Sequence, residues 1–383
     1  MMCWELTEEQ KLIKSTAREF AEIELSPLSA RIDQEKSIPE SIIKKIGELG
    51  FWGVLVPEKF GGAGLDHLSL VLILEEISRA CASTSVTMSV HNSLVCCAIN
   101  KNGSSEQKHA YLPKLASGQI IGAYALTEPN AGSDAAAIET RAVKDGNDYI
   151  LNGTKIFVTN GPAAGLMVIF ARTHPDKNLR GKGISAFLVT PDMPGLKRGS
   201  PEEKMGVRGA NVCEVVFEDC RVPAVQMLGE EHQGFKVALD SLNSGRIGIA
   251  IQSVGIAQAA LDASLKYVRE RKQFGRFLSE FQAIQGKLAE MATGIKAARL
   301  LAYQAAVLRD QGLPHHKESS MAKLFASTIC NRVAKESVQI HGGVGYTKEF
   351  PVERYFRDAK VTEIYEGTSE VQRIIISRAI LED

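Results

Sequence analysis

The hydrophobic pattern of this chain changes period twice, and that change narrows the folds open to it. Up to about residue 118 the apolar residues keep helical spacing. Leu70, Ile73, Leu74 and Ile77 follow the i, i+3, i+4, i+7 rule for one buried face. Thr7 with Gln10 predicts a capping box ahead of a helix running to about Glu24. Near Gly122 the texture turns to short runs of β-formers between Gly and Pro clusters. Tyr149 to Leu151, the pair Asn152-Gly153 and Lys155 to Thr159 predict a hairpin on a type I′ turn. Leu166–Ala171, Ile184–Val189 and Glu214–Phe217 are further strands. After Gly234 helical spacing returns. Phe235, Ala238, Leu239 and Leu242 share a face, and Ile284, Leu288, Met291, Ile295, Ala298 and Ala302 step almost as a heptad seam. The expected fold is α+β, mainly α: an N-terminal helical domain (1–118), a small middle β-barrel or sheet domain (119–228) and a C-terminal four-helix bundle (229–383). Strands and helices do not alternate, which argues against a doubly wound nucleotide fold.

Charge and cysteine usage exclude some functions. Lys plus Arg and Asp plus Glu both number 45, so no global field favours nucleic acid or an anionic membrane. The longest apolar runs read as too short to span a bilayer, and Met1 to Glu9 lacks the pattern of a signal peptide. A cytoplasmic protein is the simplest reading. The seven cysteines form no CxxC pair and no zinc spacing, so no metal site is expected. His91 near Cys96 and Cys97 raises a thiol nucleophile, but Val86 to Ala98 reads as an apolar helix in which small cysteines pack.

Four runs carry chemistry. In Tyr124-Ala-Leu-Thr-Glu-Pro-Asn-Ala-Gly-Ser-Asp134, Pro129, Asn130 and Gly132 set a turn after a strand. The same run offers bare amides near Gly132 and hydroxyls at Thr127 and Ser133 to a ring edge or a phosphate. In Gln339-Ile-His-Gly-Gly-Val-Gly-Tyr346 the glycines can end a helix or let a cofactor approach the main chain. Arg271-Lys-Gln-Phe-Gly-Arg276, with Gln282 beyond it, is either a solvated basic loop or a guanidinium fork for a pyrophosphate with Phe274 over an apolar ring. In Tyr365-Glu-Gly-Thr-Ser-Glu370, Thr368 is a helix N-cap and Glu370 suits the first turn. Glu366 has no such structural duty, and a carboxylate placed just before a helix can point into a cleft.

Together these runs resemble the acyl-CoA dehydrogenase family along essentially the whole chain, most closely its short-chain, butyryl-CoA type. Ala125 to Asp134 matches the family's first motif. Gln339 to Asp358 matches the second, through Gly342, Gly343, Gly345, Tyr346, Glu349, Arg354 and Asp358. The resemblance implies FAD held without a covalent bond. Tyr124, Leu126, Thr127, Gly132 and Ser133, with Phe157, Val158 and Thr159, would line the isoalloxazine ring. Arg271, Phe274, Gln282, Gln339, Gly342 and Gly343 would reach the FAD of a neighbouring subunit, and Thr368 and Glu370 would touch the near one. Ser133, Asn243, Arg246 and Gly367 would meet the thioester. It further implies a homotetramer, electron-transferring flavoprotein as acceptor, and Glu366 as the base that takes the α-proton to give a trans-2-enoyl-CoA.

Four positions that differ from relatives matter. Phe157 stands where the family usually has Trp, and Asn243 where Asp is common, so the latter supplies no charge. Isovaleryl and long-chain relatives carry the base immediately before the Arg that here is Arg246. This chain has Gly245 there. A distal-carboxylate substrate is disfavoured, because Ser85 stands near the position of the Arg that glutaryl enzymes use.

Overall fold

A computed structural model describes residues 5–382; Cys3 and the rest of the stretch Met1 to Trp4 lie outside it. The amino-terminal helices are α1 (Glu8–Phe20), α2 (Ser29–Glu35), α3 (Glu40–Glu48), α4 (His67–Ala80), α5 (Ala82–Ser89), α6 (Cys97–Asn102) and α7 (Ser105–Ala116). Thr7 and Gln10 do form the reciprocal capping box. The run from Val86 to Ala98 is helical, with a π-helical stretch at Val90–Cys96.

The sheet comprises β1 (Ile121–Ala125), β2 (Arg141–Asp145), β3 (Asp148–Thr159), β4 (Ala164–Arg172), β5 (Ile184–Val189), β6 (Leu196–Arg198), β7 (Val212–Pro223) and β8 (Met227–Leu228). Its order is β6-β7-β3-β2-β4-β5-β8, and β1 lies parallel to β4. The expected hairpin at Asn152-Gly153 does not form. β3 runs straight through both residues, and the tight turn lies earlier, at Gly146, between β2 and β3. Gly153 instead sits at a register shift against β7 with φ +147, where a Cβ would strike Thr140. The Asn-Gly pair thus marks a bulge, not a turn.

The bundle holds α8 (Gly234–Glu270), α9 (Gln282–Asp310), α10 (His316–His341), α11 (Val352–Val361) and α12 (Ser369–Glu382), with the short hairpin β9 (Lys272–Gln273) and β10 (Arg276–Phe277) joining α8 to α9. The heptad-like series in α9 faces the core: Met291, Ile295, Ala298 and Ala302 are buried. At the start of α8 the buried residues are Gly234, Val237, Ala238 and Ser241, while Leu239 points outward. The expectation that no segment is apolar enough to span a bilayer is corrected by α8. It is long and apolar enough by length and composition, yet its most apolar window is 83% buried within this fold.

α4 is not the one-faced helix its spacing predicts. Every residue from Leu68 to Ser78 is buried, Glu75 and Glu76 included. Arg299 and the Tyr303 hydroxyl from α9 donate to Glu75 at 2.8 and 2.6 Å, and Arg18 from α1 grips Glu76 at 2.8 Å. Against the opposing effect of burial, Arg299, Lys14 and the Tyr303 hydroxyl hold Glu75 below the usual carboxylate range.

Candidate active site

Glu366 lies in the loop between α11 and α12, and the backbone there is unusual. Glu366 has φ +53 and Gly367 φ +96, two successive left-handed residues. The turn is held from three sides. Lys323 of α10 donates to the Gly367 carbonyl at 2.7 Å, and Gln372 of α12 donates to the same oxygen at 2.9 Å and to the Glu366 carbonyl at 3.3 Å. Tyr365 donates to Gln252 of α8. After the turn, Thr368 Oγ1 accepts from Val371 N and caps α12 as expected.

The turn lays the Glu366 side chain on α8 at Gly245. A Cβ added to Gly245 would stand 2.0 Å from Glu366 Oε2, 2.7 Å from its Cδ and 2.8 Å from Leu94 Cδ2. Absence of a side chain at 245 therefore removes a rival base and makes room for Glu366. Oε2 is buried without a hydrogen-bond partner. Burial raises Glu366 to about 7, with Arg246 and Lys323 pulling the other way. Among the described residues nothing accepts from the Glu366 N–H. A near-neutral carboxyl with a free oxygen beside a free amide is equipped to remove a proton and to donate to an adjacent carbonyl.

Arg246 is buried too. One guanidinium nitrogen donates to Asn243 Oδ1 at 2.7 Å, while Nε has no partner. Asn243 thus orients the arginine without neutralising it.

The run after β1 is braced from beneath. Lys155 is fully buried and binds Glu128 at 2.6 Å and the Leu126 carbonyl at 3.2 Å. Glu128 also accepts from the backbone N–H groups of Glu139 and Thr140. This leaves Gly132 and Ser133 exposed, and a Cβ at Gly132 would meet nothing within 4 Å. Opposite, a register shift between Lys155 and Val158 turns Phe157 outward at φ +55 and 64% exposure. The Val158 side chain points into the sheet core, so only its main chain can meet a ligand. An open glycine cradle, hydroxyls at Thr127 and Ser133 and an unburied aromatic ring suit a flat, hydrogen-bonding cofactor such as a flavin.

The remaining cofactor candidates form a second patch. Arg271, Phe274 (93% exposed) and Gln282 sit at the α8–α9 junction, and Gln339, Gly342 and Gly343 at the end of α10. Tyr267 stacks on His341 at 4.3 Å and joins the two segments. At the α-helical rise, Glu270 lies roughly 36 Å along α8 from Arg246.

The thiol-nucleophile alternative does not survive. His91 accepts from Gly122 N at Nδ1 (3.0 Å) and its Nε2 meets the Leu115 carbonyl (3.1 Å). Both ring nitrogens are engaged with main chain, and burial holds the ring neutral, at about 4. Cys96 is buried and its thiol pushed well up. Sequence reasoning gives no functional role to Lys323, Gln372, Gln252 or the Lys155–Glu128 pair. Their signal was faint: a lysine among small and apolar neighbours on a helix, or on an inward strand position.

Family models described as the acyl-CoA dehydrogenase N-terminal, middle and C-terminal domains match residues 7–119, 123–220 and 232–381. The chain is 49% identical to the mitochondrial short-chain specific acyl-CoA dehydrogenase of Rattus norvegicus, over 98% of this chain and 91% of that protein. It is 48% identical to the acryloyl-CoA reductase (NADH) of Anaerotignum propionicum, over 100% and 96%. A chain from the solved structure of the electron transferring flavoprotein of Acidaminococcus fermentans, a study of flavin-based electron bifurcation, superposes at a TM-score of 0.97. It shares 49% identity, with 100% of each chain covered.

Proposed function

The chain belongs to the acyl-CoA dehydrogenase family, and on that premise we propose that it desaturates a short-chain acyl-CoA thioester between its α- and β-carbons, with Glu366 as the base. The observation that carries this reading is the Glu366 carboxylate itself, laid on Gly245 with Oε2 unpartnered and its acidity tuned to about 7. Glu366 takes the α-proton, and its own N–H donates to the thioester carbonyl, where negative charge develops. FAD, when bound, supplies the acceptor for the hydride that leaves the β-carbon, and the product is the trans-2-enoyl-CoA.

FAD would rest on Tyr124 to Ser133, on Phe157 and on the main chain of Val158 and Thr159, with Thr368 and Glu370 at its near edge. The second patch, from Arg271 to Gly343, would serve the FAD of a neighbouring subunit in a homotetramer. The distance along α8 from Arg246 to that patch, roughly 36 Å at the helical rise, supports this arrangement. Ser133, Asn243, Arg246 and Gly367 would meet the CoA thioester. Electron-transferring flavoprotein would take the electrons onward. The six described cysteines are free, which fits a reducing compartment such as the cytoplasm.

Glu366→Gln tests the base. The variant should keep FAD and bind butyryl-CoA, yet lose flavin reduction by at least about 10³-fold, since it removes the general base. Reduction near the wild-type rate would overturn the assignment. The likeness to an acryloyl-CoA reductase favours a second direction through the same site, in which Glu366 returns a proton to the α-carbon. NADH consumption with acryloyl-CoA, in the presence of the flavoprotein partner, separates the two.

A further inference from the structure

Lysines are rarely buried without a carboxylate to pair with. Lys323 is fully buried on α10, and among the described residues it makes no salt bridge. Its ammonium instead donates to the Gly367 carbonyl at 2.7 Å. That carbonyl belongs to the second of the two left-handed residues that carry the base. A cation held at such cost, on the carbonyl next to a carboxylate without a partner, has a purpose beyond packing.

We propose that Lys323 is a positioning residue for the reaction: it fixes the turn that lays the Glu366 carboxylate over Gly245, and it stands beside that carboxylate as a second positive charge. The proposal rests on Glu366 being the base. The groups that face Glu366 are Arg246 from α8, Lys323 from α10, the Tyr124 hydroxyl from β1 and the Tyr365 hydroxyl from its own loop; Glu363 and Glu370 stand near Lys323. Arg246 and Lys323 are the two cations among them. Burial brings Lys323 down to about 8 and raises Glu366 to about 7. Around neutral pH the base thus ionises while the lysine is still charged. Loss of that charge makes ionisation of Glu366 harder and moves it to higher pH.

The test uses the flavin-loaded protein with butyryl-CoA as probe and follows flavin reduction against pH. Lys323→Met removes both the hydrogen bond and the charge. Lys323→Gln keeps an N–H donor and removes the charge. In both variants the rising limb of the profile should move about one unit to higher pH. Lys323→Met should also lose roughly tenfold to hundredfold at the plateau, which Lys323→Gln should largely recover. Infrared difference titration of the resting protein gives a readout independent of turnover. The carboxylic-acid band that is missing in Glu366→Gln should shift by the same amount as the limb. An unmoved limb and band in both variants overturns the proposal, as does loss of flavin by both, which would make Lys323 merely structural. If Lys323→Met alone loses flavin, the limb of Lys323→Gln decides. Should Glu366→Gln reduce its flavin at the wild-type rate, the base assignment fails first; an inactive Glu366→Gln beside an unmoved limb refutes Lys323 alone.

Discussion

Gly245→Ala separates the stability of the fold from the placement of the base. The new methyl would arrive 2.0 Å from Glu366 Oε2 and 2.8 Å from Leu94 Cδ2. Ordinary contact begins near 3.4 Å, so the oxygen must retreat by about 1.4 Å. That atom ends a flexible side chain, and its displacement costs the fold little. Alanine also gains about 1 kcal/mol over glycine inside a helix, which offsets much of the roughly 1–3 kcal/mol expected from crowding. The melting temperature should stay within a few degrees of wild type. Catalysis has no such tolerance: a misplacement near 1 Å can cost about 10²-fold, or roughly 2.7 kcal/mol of barrier. Stopped-flow reduction of the bound flavin by butyryl-CoA at pH 7, beside a thermal melt, measures both. Reduction within twofold of wild type would refute the placement of the carboxylate on Gly245. A fall in melting temperature beyond about 10 °C would mean that the backbone, not the carboxylate, gives way.

Two further outcomes follow from the geometry. Gly132→Ala places its Cβ where no protein atom lies within 4 Å, so the apoprotein should melt as wild type does while flavin affinity falls about tenfold; full flavin retention would move the cofactor away from this loop. His91→Leu strands the Gly122 N–H and should cost about 1–3 kcal/mol at pH 7. His91 is held neutral with its folded value lowered from 6.5 to about 4. Its contribution is complete above 6.5 and is lost as pH falls toward 4, about 3 kcal/mol in all. The difference between wild type and His91→Leu, read from urea melts, should therefore shrink on acidification; parallel curves would contradict the neutral, doubly bonded ring.

The order of helices, sheet and bundle was legible in the chain because hydrophobic period survives any tertiary arrangement, and the α9 seam faces inward as its spacing demands. Local chemistry was less faithful. Asn152-Gly153 has the residues of a type I′ turn, yet Thr140 and the neighbouring β7 draw it into a continuous strand. Leu239 shares the spacing of its buried neighbours but falls on the rim of α8, since period alone does not say how wide a face is covered. Glu366 stood out because Thr368 and Glu370 explained themselves as helix-start residues and it did not. Lys323 and Lys155 could not be picked out, for their burial depends on partners 44 and 27 positions away.

The fully enclosed α4 bears on how the chain is made. Its covering helices α8 and α9 come from the other side of the sheet domain, and Arg299 follows Glu75 by 224 residues. At ordinary rates of synthesis that is roughly 10–45 s. Throughout that interval the nascent helix carries its apolar surface and Glu75 without the α9 side chains that cover and pair them. The sequential boundaries of helices, sheet and bundle are therefore not the boundaries of assembly. α4 is among the earlier core helices to leave the ribosome and among the last to be closed in.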